Sequence, residues 1–155
     1  MPNLAQYCRN RMAVSGSGAK NNIVMRPAIA LVVDDEPSVR HYIGMVLRGD
    51  GIQTLEAASG TEGLHLVREL QGQLDLIVSD IQMPDGDGNW LACSVAKEYP
   101  AIPCLLVSGV EQRHASVNAG FLQKPFLPAE LLQMVHRMIA RGPVAGALCG
   151  SSGQS

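Results

Sequence analysis

A chain of 155 residues, 46% hydrophobic and 17% charged, has the size and composition of one globular domain with a real core. Its formal net charge of −2, with no basic run, argues against nucleic acid or an anionic membrane as a direct partner. No apolar stretch approaches the ~18 residues that span a bilayer, and no signal-peptide core follows the N-terminal arginines.

Residues 1–26 are polar, bear Gly and Ser, and lack a clear period, so a flexible N-terminal arm is expected there. A continuous apolar run over residues 28–33 has the character of a strand covered on both faces. Pro37 suits the first turn of a helix, because its missing N–H is not needed there. Val39, Tyr42, Ile43, Val46 and Leu47 then recur at helical spacing, and Gly49 and Gly51 stop the helix. Residues 52–57 form a second, less apolar strand, expected nearer a sheet edge. Ser59 and Glu62 match a capping box, opening a helix whose buried stripe is Leu66, Val67 and Leu70.

A third strand is expected over residues 74–79, then a Pro- and Gly-bearing loop through Gly88 and a helix over residues 89–98. Residues 102–107 are a fourth strand, residues 111–118 a short helix, and residues 120–123 a fifth strand. Pro128 opens a last helix with Leu131, Leu132, Val135, Met138 and Ile139 on one face, and Gly142 stops it. A folded unit over residues 27–141 and a disordered tail over 142–155 are expected. The alternation implies an α/β fold with a doubly wound parallel sheet.

The cysteines are Cys8, Cys93, Cys104 and Cys149, with no zinc or CxxC spacing. Cys104 lies in an apolar run as a small hydrophobe, and a reducing, cytoplasmic setting is expected. The histidines, His41, His65, His114 and His136, fall on expected helix surfaces.

Polar groups stand where strands end: Asp34 and Asp35, then Asp80, then Ser108, then Lys124. In an open parallel sheet those ends share one edge, which is where such folds bind ligands. Clustered carboxylates oppose one another's ionisation, and a Mg²⁺ ion removes that penalty. Asp80 suits the role of ligand and nucleophile, forming an aspartyl phosphate. The Lys124 ammonium and the Ser108 hydroxyl suit the charged oxygens of a transferred phosphoryl group. Each motif alone has a plain reading as a turn, cap or solvated strand end. Their specificity lies in the combination and its order.

The set Val32-Val33-Asp34-Asp35-Glu36, Ser79-Asp80-Ile81-Gln82-Met83-Pro84 with Gly88, Val107-Ser108-Gly109, and Phe121-Leu122-Gln123-Lys124-Pro125-Phe126 resembles the receiver domain of bacterial two-component response regulators. The likeness covers about residues 28–141. It implies a flavodoxin-like, five-stranded sheet in 2-1-3-4-5 order. It implies phosphorylation of Asp80 by a histidine kinase or a histidine phosphotransfer protein. It implies Mg²⁺ held by Asp34, Asp35, Asp80 and the Gln82 backbone carbonyl, with Lys124 on the phosphate, Ser108 as switch hydroxyl and Phe121 as switch aromatic. Such a module catalyses only its own phosphorylation and dephosphorylation, so it is not expected to be an enzyme in the ordinary sense. One departure is visible: the interval from Ser108 to Lys124 is short by ~4–7 residues, or one to two helical turns, so the family's fourth helix is expected short or missing.

No output domain fits after Arg141, so a stand-alone receiver or a piece of a hybrid kinase, signalling through protein–protein contact, is expected. Two alternatives stand beside this reading. One is a pseudo-receiver that binds partners without phosphorylation. The other is a phosphatase of the haloacid dehalogenase type, against which the adjacent Asp34-Asp35 pair counts, since that family carries Asp-x-Asp.

Overall fold

The computed structural model describes residues 27–110 and 119–140. Its strands are β1 (Ile29–Val33), β2 (Gln53–Ala57), β3 (Leu76–Asp80), β4 (Cys104–Ser108) and β5 (Ala119–Gln123). Its helices are α1 (Pro37–Gly49), α2 (Gly60–Glu69), α3 (Gly88–Glu98) and α4 (Pro128–Ala140). All five strands pair in parallel, in the order β2-β1-β3-β4-β5, so β2 is an edge strand, as its polarity implied. The arm over residues 1–26, the helix expected over 111–118, the stop at Gly142 and the tail all lie outside the described residues.

Because strand side chains alternate faces, one apolar run supplies two cores. Leu31, Val33, Ile77 and Leu106 point to the face covered by α2 and α3, where they meet Leu64, Val67, Leu91 and Val95. Val32, Leu76, Val78, Leu105 and Val107 point to the other face and meet Ile43 and Leu47 of α1 and Leu131 and Val135 of α4. Each such Leu, Ile or Val is worth ~1.5–3 kcal/mol when buried. Cys104 belongs to the first cluster, and burial pushes its thiol pKa up to about 12.

The strands begin one or two residues later than the apolar pattern suggested, β5 excepted. Ile52, Leu74 and Ile102 are buried below the ladder, so hydrophobicity outruns hydrogen bonding at the sheet's lower edge. There the Asp75 carboxylate accepts the Ile29 N–H at 2.8 Å. Tyr42 departs from the expected stripe of α1; it is 38% exposed and its ring lies 6.3 Å from that of Phe126. The capping box forms with one change. Ser59 Oγ accepts from the Glu62 N–H at 3.1 Å, but Glu62 Oε1 accepts from Ala58 N–H at 2.6 Å, one residue before the cap.

Backbone contacts fix the loop after β3. Gly60 N–H donates to Gly86 O at 3.0 Å, and Thr61 Oγ1 donates to Asp85 Oδ1 at 3.1 Å, which sews the loop to the start of α2. Gly86 has φ +79, a conformation glycine adopts without strain. Asp87 caps α3 by accepting the Trp90 N–H at 2.8 Å. A methyl group on Gly88 would collide with the carbonyl oxygen of Asp80. Gly88→Ala is therefore expected to cost ~1–3 kcal/mol in urea unfolding, the scale of overpacking. Gly49→Ala, with open space around it, is expected to be neutral or stabilising by up to ~1 kcal/mol.

Candidate functional site

Register builds the site. Val33 pairs with Ser79, so the next residues, Asp34 and Asp80, stand side by side at the upper edge of the sheet. Ser108 pairs with Gln123, and the following Lys124 N–H donates to Ser108 O at 2.8 Å. Four strands thus deliver their terminal polar residues to one place, with neighbours ~4.8 Å apart.

Oxygens from Asp34, Asp35 and Asp80 all lie within 4.8 Å of one another. Lys124 Nζ reaches Asp80 Oδ1 at 3.4 Å and Asp34 Oδ2 at 3.7 Å. Asp34 is buried, Asp80 half-buried and Asp35 exposed, so the cluster grades from the sheet toward solvent. Asp34 Oδ1 accepts the Glu36 N–H at 2.9 Å. Among the described residues, Asp34 Oδ2 is buried with no hydrogen bond, and its ion pair is the longer one to Lys124. Burial pushes the Asp34 carboxyl pKa above its ordinary value, and the Asp80 and Asp35 charges push it the same way; the Glu36 N–H and Lys124 oppose them.

That orphaned oxygen and the three convergent carboxylates fit a divalent cation, because a hard ion takes oxygen ligands and cancels the repulsion. Gln82, whose carbonyl was expected to join them, stands exposed two residues beyond Asp80 on the same loop. Ser108 is buried, and its Oγ accepts the Val110 N–H at 3.1 Å, so its own O–H is available to donate. Phe121 is not at the pocket. It pairs with Leu106 in the middle of β5 and lies half-buried against the core on the α2–α3 face.

Two residues escaped the sequence reading. Arg40 NH1 donates to the backbone oxygen of Asp34 at 2.7 Å, and its Nε pairs with Glu56 Oε1 at 3.1 Å. Residues sixteen apart, one on a helix and one on an edge strand, carry no local signal of their meeting. Beside Lys124, an apolar groove of about 490 Å³ opens between Val39 and Tyr42 of α1 and Pro125 and Phe126. Among the described residues, no helix is long and apolar enough to cross a membrane.

A family model of the response regulator receiver domain matches residues 30–136. The chain belongs to this family. It is similar to the sensor kinase CckA of Brucella abortus, with 38% identity over 120 residues that cover 74% of this chain and 13% of that protein. It is also similar to the DNA-binding response regulator MtrA of Mycolicibacterium smegmatis, with 32% identity over 117 residues, 72% of this chain and 50% of the relative. The chain therefore spans from about an eighth to half the length of these relatives. Among solved structures, the receiver domain of the hybrid histidine kinase CckA superposes with a TM-score of 0.65 at 33% identity, covering 72% of this chain and 99% of that one. The Vibrio cholerae chemotaxis protein CheY4 gives a TM-score of 0.67 at 29% identity, covering 73% of this chain and 99% of that one. These likenesses favour neither the phosphatase nor the pseudo-receiver reading.

A carboxyl whose pKa rises on folding binds its proton more tightly when folded, so its ionised form opposes folding at neutral pH. Asn at position 34 keeps the acceptor for Glu36 N–H and removes that buried charge. Asp34→Asn is expected to raise metal-free stability at pH 7 by ~1 kcal/mol, the usual scale of a point substitution. Calorimetry with and without Mg²⁺ is expected to show a rise in Tm for the parent and none for this variant.

Proposed function

We propose that this receiver takes a phosphoryl group on Asp80 from the phosphohistidine of a histidine kinase or histidine phosphotransfer protein. It passes the signal on by protein–protein contact or a phosphorelay step. The observation that carries this reading is the meeting of Asp34, Asp35 and Asp80 oxygens within 4.8 Å, with Lys124 Nζ 3.4 Å from Asp80 Oδ1.

Asp34, Asp35 and Asp80, with the Gln82 carbonyl, would hold Mg²⁺, which when bound supplies positive charge for the acids and the incoming phosphoryl oxygens. An Asp80 carboxylate oxygen attacks phosphorus, the P–N bond of the donor breaks, and its electron pair returns to the imidazole. Lys124 follows the group, moving from Asp80 Oδ1 to a phosphoryl oxygen. The Ser108 O–H donates to another. Asp34, lacking room and solvent, does not compete as nucleophile; it fixes charge behind the reacting carboxylate. Hydrolysis returns Asp80 to its starting state, so the only substrate transformed is the chain's own phosphate, and the module is not an enzyme acting on a separate compound.

The apolar groove beside Lys124 suits a protein donor, since a helix carrying the phosphohistidine needs an apolar bed beside the pocket. The likeness to the receiver domain of a hybrid histidine kinase supports the same donor chemistry. A cytoplasmic location is part of this proposal.

The test is intact-mass measurement after incubation with Mg²⁺ and a small acyl phosphate. One phosphoryl group is expected on the parent and none on Asp80→Asn; Lys124→Ala should slow uptake by ~10²-fold, the cost of losing one charge-stabilising donor. Uptake undiminished in Asp80→Asn would overturn the assignment.

A further inference from the structure

The carbonyl oxygen that Arg40 grips belongs to the peptide joining Asp34 to Asp35. A peptide is planar, so fixing its oxygen fixes the plane between two residues. The two side chains that leave that plane are neighbours in the acid cluster. The residues around that peptide are also held, by Asp34 N–H donating to Ala57 O at 3.1 Å and by Glu36 N–H donating to Asp34 Oδ1. Among the described residues, the Arg40 contact is the one that acts on the linking peptide through a side chain.

The guanidinium is itself fixed. Its Nε meets Glu56 Oε1 at 3.1 Å, and the pair is only 18% and 25% exposed. Glu56 is steadied through its second oxygen by Arg48 NH1 at 3.7 Å, which also donates to Thr54 Oγ1 at 2.8 Å. Gly44 stands between Arg40 and Arg48 on α1, and a methyl there would come within 2.8 Å of Arg48 NH1. The absent side chain leaves room for Arg48 to lie across to Glu56.

We propose that Arg40, anchored by Glu56, is a positioning residue for the acid cluster: it sets the Asp34–Asp35 peptide so that both carboxylates stand ready for a divalent cation. The claim rests on the phospho-acceptor reading above. An ordinary exposed ion pair contributes ~0–1 kcal/mol of stability and nothing else. Arg40 differs because one of its partners is a backbone oxygen between two acids of the cluster. Its own charge is balanced by Glu56, so geometry, not attraction, is its contribution.

The experiment is calorimetric titration of Mg²⁺ into the full chain, alongside Tm and the rate of phosphoryl uptake from acyl phosphate. Arg40→Met keeps the apolar stem and removes the donors. It is expected to weaken Mg²⁺ binding by ~10-fold or more, the scale seen when a ligand's supporting group is lost. Uptake should fall at low Mg²⁺ and recover toward the parent rate at saturation. Glu56→Gln is expected to weaken Mg²⁺ in the same direction, and the double variant to be no worse than Arg40→Met, because both act through one contact. Arg68→Met, which breaks only the exposed pair with Glu98 and touches neither Arg40 nor Glu56, should bind Mg²⁺ within ~2-fold of the parent, the scatter of uncoupled sites. Arg40→Met binding within ~2-fold of the parent, whatever its Tm, overturns the proposal. If Arg40→Met does not fold, Arg40→Lys, which cannot serve both partners, is read against the same thresholds. A parent that neither binds Mg²⁺ nor accepts a phosphoryl group removes the functional reading and this one with it. A parent that does both beside an unaffected Arg40→Met removes this one alone.

Discussion

Like charges gathered at the edge of a sheet repel one another, and here the strand register leaves them no escape. Because Val33 and Ser79 are partners, Asp34 and Asp80 are set side by side by the same hydrogen bonds that hold the core strands. Burial of Asp34 sharpens the repulsion by removing water that would screen it. The compensating positive charge arrives from the end of β5, two strands away from β3, through the Lys124 side chain, which spans to both acids. Both long-range pairings must therefore be in place before the pocket exists. The pocket is a property of the whole sheet and not of any loop.

Much of this was legible because buried parallel strands are written as unbroken apolar runs. Residues 28–33 and 102–107 located β1 and β4 to within two residues, and 3.6-residue spacing gave the buried Ile43, Leu47, Leu131 and Val135 their places. The acids were legible as a site because each follows such a run. What stayed hidden was lateral. Arg40 looks like any charge on an amphipathic helix, and Glu56 like any polar residue on an edge strand; only the crossing of α1 over β2 joins them. The approach of Gly60 to Gly86 was hidden for the same reason, since it joins two loops across the top of the sheet. Tyr42 shows the limit of periodicity from the opposite side. It shares the spacing of the buried stripe, yet its ring turns to the groove and lies tilted against Phe126, while Ile43 beside it enters the core.

The two faces of the sheet are buttressed differently near the pocket. On the α1 side the turn carrying Asp34 and Asp35 is held by polar contacts from Arg40 and Glu36. On the α3 side the turn after Asp80 is held by close backbone packing, with Gly88 against the Asp80 carbonyl and Ile81 O accepting from Gly88 N–H at 2.9 Å. Polar contacts are directional and adjustable, whereas packed backbone is stiff. The Asp80 carboxylate thus stands on the rigid side of the pocket, and Asp34 and Asp35 on the side that a hydrogen-bond change can retune.

Trp90, the chain's one tryptophan, lies with its ring edge 2.9 Å from where a β-carbon on Gly86 would sit, yet 43% of it faces water. An indole at such a boundary emits according to how wet it is. Any shift of the segment between β3 and α3 must slide backbone beneath that ring and change its solvation. The molecule thus carries its own optical gauge of the acidic edge, with no second indole in the chain to blur the signal.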